Sequence, residues 1–131
     1  MSLSETSWRR IFLFKGAYNI IVSLTLLIWS EQLLPLLGAP AGNPAYPQMF
    51  FLLCLAFGVG YCAVGLDIDA NAAVVVMGVI GQSSVSAVVF WQWKAGVVYT
   101  PALLSGLIDF VFALAFAAFL WTHIYPPYRS S

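Results

Sequence analysis

Leu104-Ser-Gly-Leu-Ile-Asp-Phe-Val-Phe-Ala-Leu-Ala-Phe-Ala-Ala-Phe-Leu-Trp121 is long and apolar enough to cross a bilayer, yet it carries Asp109 near its middle. An ionisable group at mid-membrane costs about 2.5–3.5 kcal/mol on insertion scales, so its carboxyl is expected to face protein or water rather than lipid. The stretch therefore predicts a spanning helix and a point where polar groups gather.

Three more apolar runs precede it, over 11–29, 49–66 and 72–91, with the last at 102–121. Each is near the length of about 20 residues that a spanning helix needs. The 131 residues are 62% hydrophobic and 8% charged, with mean hydropathy +0.92. A soluble domain carries about 25% charged residues, so this chain cannot cover itself against water. The reading is one all-α transmembrane domain, 1–131, a four-helix bundle whose first partner is the lipid bilayer. Five basic and five acidic residues cancel, which argues against nucleic acid.

The breakers fit this map. Pro35, Gly38, Pro40, Gly42, Pro44 and Pro47 punctuate the first loop, with a short interfacial turn expected over 31–37. Asp69 or Asn71 is the expected cap of the third span, and Pro101 suits the start of the fourth. Trp8, Trp29, Trp91, Trp93 and Trp121 all fall at span ends, as do Tyr46, Tyr99, Tyr125 and Tyr128. Amphipathic rings prefer the headgroup level. Arg9, Arg10 and Arg129 share one side and Lys94 lies on the other, so both termini are expected in the cytoplasm. Ser7-Trp-Arg-Arg-Ile-Phe-Leu-Phe-Lys15 resembles a twin-arginine export signal, with Ala39-Pro-Ala41 as a cleavage site. The apolar run is too long and the site about ten residues too far, so the segment reads as an uncleaved span.

The polar residues share a depth. At about 1.5 Å per residue, Asn19, Gln82 and Asp109 each lie roughly 12–18 Å below the cytoplasmic face, on three different helices. Without water they are expected to satisfy one another. Lys15 is the obvious cation for Asp109, but helical side chains lean toward their own N-terminus, which separates the two groups. Snorkelling of Lys15 to the headgroups is the favoured reading, and a direct pair needs helix tilt to close the gap. A desolvated carboxyl without a cation favours its neutral form, which can donate to an amide oxygen. Tyr61 lies near the level of Lys15 as a core or ligand-facing residue. Gly58, Gly60, Gly65, Gly78 and Gly81 suit close helix packing.

Metal chemistry has little to work with. Cys54 and Cys62 are about 12 Å apart along a helix, too far for a disulfide, and His123 is the only histidine. No metal and no cofactor are expected.

Phe14-Lys-Gly-Ala-Tyr-Asn19, Gly58-Val-Gly-Tyr61, Gly81-Gln82 and Asp109-Phe-Val-Phe-Ala113 follow one another in order. This pattern resembles small, uncharacterised bacterial four-helix inner-membrane proteins, with the DoxX-like group as looser relatives. Gln82 departs from the Lys common at that position. The resemblance implies a bacterial, multi-pass, inner-membrane bundle. DoxX itself is associated with quinone-linked sulfur oxidation, but the cysteine and histidine positions do not suit that chemistry.

The leading functional expectation is a non-enzymatic accessory or structural subunit, packed as a homo-oligomer or in a larger membrane complex. The alternative is a binder or carrier of a lipid-like or quinone-like molecule. Asn19, Gln82 and Asp109, with Lys15 and Tyr61 nearby, would meet its polar group, and Phe57, Tyr61, Phe110, Phe112 and Phe116 its apolar part. An oligomeric proton or small-solute transporter comes third. A lone carboxyl without a base, nucleophile or metal set argues against an enzyme.

Overall fold

A computed structural model describes residues 3–39 and 42–126. Pro40, Ala41, Tyr128 and Arg129, which the sequence reading used, lie outside the described residues. The fold is all-α. Helix α1 is Glu5–Ile28, α2 is the short Ser30–Leu33, α3 is Ala45–Leu66, α4 is Ala72–Lys94 and α5 is Thr100–Phe119. Four of them, α1, α3, α4 and α5, are long and apolar enough to cross a membrane.

The helices outrun the apolar stretches where polar caps permit it. The Ser4 side chain accepts from the Ser7 amide at 3.2 Å and starts α1 six residues before the apolar run. Arg9 pairs with Glu5 at 2.7 Å and donates to the Leu66 carbonyl at 2.8 Å, so it also closes the end of α3. Asn71 precedes α4 but does not cap it with its side chain. Its amide instead donates to Ala63 and Asp67 carbonyls, satisfying the C-terminal groups of α3. Pro101 lies in the first turn of α5 as expected. Residues 31–37 form the rest of α2 and a 3₁₀ turn, Leu34–Leu37, ended by Gly38 in the left-handed region at φ 83°. A π-helical turn, Leu120–Ile124, follows α5.

Two hairpins make the bundle. Helices α1 and α3 cross where Gly16 and Gly58 leave no room for side chains: a Cβ on Gly16 would lie 2.8 Å from the Gly58 carbonyl oxygen. Helices α4 and α5 are tied by Ser86 Oγ donating to the Gly106 carbonyl at 2.9 Å. The hairpins meet in the half that holds the N-terminus of α1, through an aromatic core. Phe12 stacks on Phe116 at 4.5 Å, and the edges of Trp8 and Tyr61 meet Phe119 and Phe116.

Trp8 is thus a correction to the reading of tryptophans as headgroup residues: it is 4% exposed and packs inward, whereas Trp29, Trp91 and Trp121 are exposed. Its position at the helix end was right, but the face was not readable from spacing alone.

Candidate functional site

Beyond the aromatic core the hairpins separate and leave a cavity of about 470 Å³. Its walls come from all four long helices, including Asn19, Phe51, Cys54, Val85 and Ser105, with Asp109 at the level where the aromatic core begins. Leu37 lines the far end, where the Tyr99 amide donates to the Leu37 carbonyl at 3.1 Å and clasps the first loop to the third. A smaller chamber of about 180 Å³ lies between α3 and α4. Asn19, Phe50, Cys54, Val85 and Asp109 line both spaces, so the two adjoin at these residues.

Lys15 does not snorkel. Its Nζ donates to Asp109 Oδ1 at 2.7 Å, and the lysine side chain is 1% exposed against 21% for the aspartate. Two features overturn the sequence argument. The stacked pair Phe14–Phe112 sets Lys15 level with the turn that follows Asp109. The remaining offset of three residues is about 4.5 Å of rise, within reach of a lysine stem. The way to the headgroups is also closed, because Phe12 and Phe116 stack between Lys15 and that end of the bundle. The ammonium lies 4.6 Å from the centre of the Tyr18 ring and 5.2 Å from that of Phe112, where the ring faces add attraction for a cation. The premise of a lone acid fails with this contact.

The amides behave differently from the expected triad. Asn19, Gln82 and Asp109 do converge on one chamber, but they do not hydrogen-bond to one another. Asn19 Nδ2 donates to the Cys54 carbonyl at 3.2 Å, and Gln82 Nε2 donates to the Gly78 carbonyl of its own helix. Each amide takes the nearest backbone acceptor, which needs no agreement between helices. The room left between them is the chamber.

Tyr61 is a core residue. Its ring packs on Phe116 and its hydroxyl fits over Gly78, where a Cβ would lie 2.8 Å away. Phe112 and Phe116 belong to the aromatic core, and Phe110 faces a groove on the outside of α4 and α5. Of the aromatics expected to line a ligand, Phe57 alone borders the two spaces, on the side of the smaller chamber. Tyr18, Phe50 and Phe51 line the cavity in their place, and sequence reasoning missed them. The spacing of Tyr18 one residue before Asn19, and of Phe50 and Phe51 one turn before Cys54, was the available signal. Among the described residues no group of three His, Cys, Asp or Glu side chains gathers as a metal site. His123 Nε2 instead lies 2.9 Å from Asp69 Oδ1, joining the π-helical turn to the α3–α4 loop.

No known family, curated protein or solved structure matches the chain. The likeness to the DoxX-like group rests on the short motifs quoted above alone.

Proposed function

We propose that this chain is a multi-pass protein of a bacterial inner membrane, with cytoplasmic termini, that binds or carries a lipid-like amphiphile. One observation carries the reading: an apolar cavity of about 470 Å³ is lined at mid-helix by Asn19 and by Asp109, the partner of Lys15, and adjoins a smaller chamber that Gln82 lines. That volume lies within the range of small-molecule sites, which are mostly apolar with a few convergent polar groups. A helix pair needing only adhesion would gain more dispersion energy by closing the space. The polar groups at its inner end give an amphiphile a preferred orientation.

The test is lipid extraction from the purified protein followed by mass spectrometry. One enriched amphiphile is expected, and Ser105→Phe, which fills the cavity from α5, should remove it. An extract with the same composition as the surrounding membrane would sink the reading.

A subunit role, in a homo-oligomer or a larger complex, draws on a different feature. Ser83, Ala87 and Gly106 line an outward groove of about 360 Å³ between α4 and α5, and small residues of this kind suit helix association. Native mass spectrometry from gentle detergent separates the two: this second role requires a stoichiometric partner, and the binder does not.

A further inference from the structure

Gln82 Oε1 is the buried side-chain atom that lacks a hydrogen-bond partner among the described residues. The contact from Nε2 to the Gly78 carbonyl fixes the amide's orientation, since a flipped amide would set oxygen against oxygen. Gln82 is 6% exposed and lines the 180 Å³ chamber. A buried acceptor without a donor is unfavourable, so the site calls for one. Two other residues on the chamber wall have a side-chain oxygen with no hydrogen-bond partner among the described residues, although those oxygens are not sealed as Gln82 Oε1 is. Asn19 uses Nδ2 on the Cys54 carbonyl and leaves Oδ1 over, and Asp109 receives Lys15 on Oδ1 and leaves Oδ2 over. Three residues with spare acceptor oxygens, on three helices, therefore line one small space.

We infer that this chamber receives the hydroxyl head of a neutral, long-chain amphiphile, whose chain occupies the adjoining cavity. The inference rests on the proposed function and names the chemistry of the ligand's head. Lys15 lines neither space, so an anionic head would meet oxygens and no cation. A cationic head would find Asp109 already paired, with the ammonium of Lys15 behind it. Ester, ether and carbonyl heads bring acceptors to a site already rich in them. A hydroxyl donates to one of the three oxygens and can accept the second N–H of an amide. Leu53 lines the chamber and is exposed on the outer surface, so the opening between α3 and α4 faces the surrounding lipid. Gly81 also lines the chamber, and a Cβ there would meet nothing within 4 Å. A larger side chain at that position meets no neighbour that would force the backbone to move.

The experiment measures tritiated 1-hexadecanol on the full-length protein in detergent micelles by scintillation proximity. Unlabelled hexadecanol, hexadecyl methyl ether, hexadecanoate and hexadecylammonium compete against it. Hexadecanol should compete at least about tenfold better than the ether, which has the same chain and no donor. Gln82→Leu should bring the two within about threefold while ether binding persists, and Gly81→Leu should abolish the preference by occupying the chamber. Dioleoylglycerol competing as well as hexadecanol would identify the hydroxyl as that of a glyceride, and its failure would identify a single-chain alcohol. Equal competition by all four heads overturns the hydroxyl assignment and leaves the cavity reading standing. Absence of binding by every amphiphile overturns both. An alcohol preference untouched by either substitution moves the head out of this chamber.

Discussion

Lys15 and Asp109 meet at 2.7 Å although they lie 94 positions apart in the chain, and they are unequally covered. The cation is sealed beneath the rings of Tyr18 and Phe112, whereas the anion keeps part of its surface toward the cavity. In a low-dielectric interior each charge needs the other, so the pair holds α1 to α5 at the depth where the aromatic core ends. Of this pair, Asp109 lines the cavity and Lys15 does not.

Breaking that pair from one side leaves a buried charge without compensation. Lys15→Met is expected to destabilise the folded protein by about 3–5 kcal/mol, and the double substitution Lys15→Met with Asp109→Leu by distinctly less. Unfolding in mixed micelles under increasing denaturing detergent, run as a double-mutant cycle, measures the coupling. Additive effects of the two single substitutions would show that the contact is not formed.

Glycines at two positions should respond in opposite directions. Gly16→Val puts its Cβ 2.5 Å from Cys62 Sγ and 2.8 Å from the Gly58 carbonyl oxygen, so α1 and α3 must part. The expected cost is about 1–3 kcal/mol. Gly81→Ala meets open space and should stabilise by up to about 1 kcal/mol through the backbone entropy of the unfolded chain. Thermal unfolding of both variants in one detergent tests the contrast.

Cys54 reports on the cavity because it lines both spaces, whereas Cys62 lies at the Gly16 seam. In a Cys62→Ala background, a small apolar maleimide should label Cys54, and saturating amphiphile should slow that labelling. Labelling at the same rate with and without amphiphile would place the bound molecule elsewhere.

The clasp at the far end depends on Gly38. A side chain there is strained by the positive φ and would lie 2.9 Å from the Tyr99 amide nitrogen. Gly38→Ala should cost about 1–2 kcal/mol and speed the release of a bound amphiphile, since Leu37 beside it lines the cavity. Dissociation rates of a radiolabelled amphiphile check this, and an unchanged rate would remove the clasp from the exit path.

Much of the architecture was legible because it follows from local chemistry. Runs of about 20 apolar residues separated by Pro, Gly and Asp leave few options for a chain with this little charge. That Asn19, Gln82 and Asp109 line one chamber agrees with counting residues along each helix, since helical rise is fixed. Partner choice did not follow. Backbone carbonyls compete for amide N–H groups, and the winner depends on helix rotation, which hydropathy does not encode when all faces are apolar.

The amino-acid order by itself determined four apolar helices, their turns and a band of polar residues at one level, because bilayer-length apolar runs and backbone hydrogen bonding act within each segment. Only the tertiary arrangement decided that Lys15 turns inward, that Phe12 and Phe116 close one half, and that the other half stays hollow. Those outcomes depend on the relative rotation and separation of helices, set by close contact at Gly16 and Gly58 and by the size of the rings opposite them. Local sequence spacing carries neither quantity.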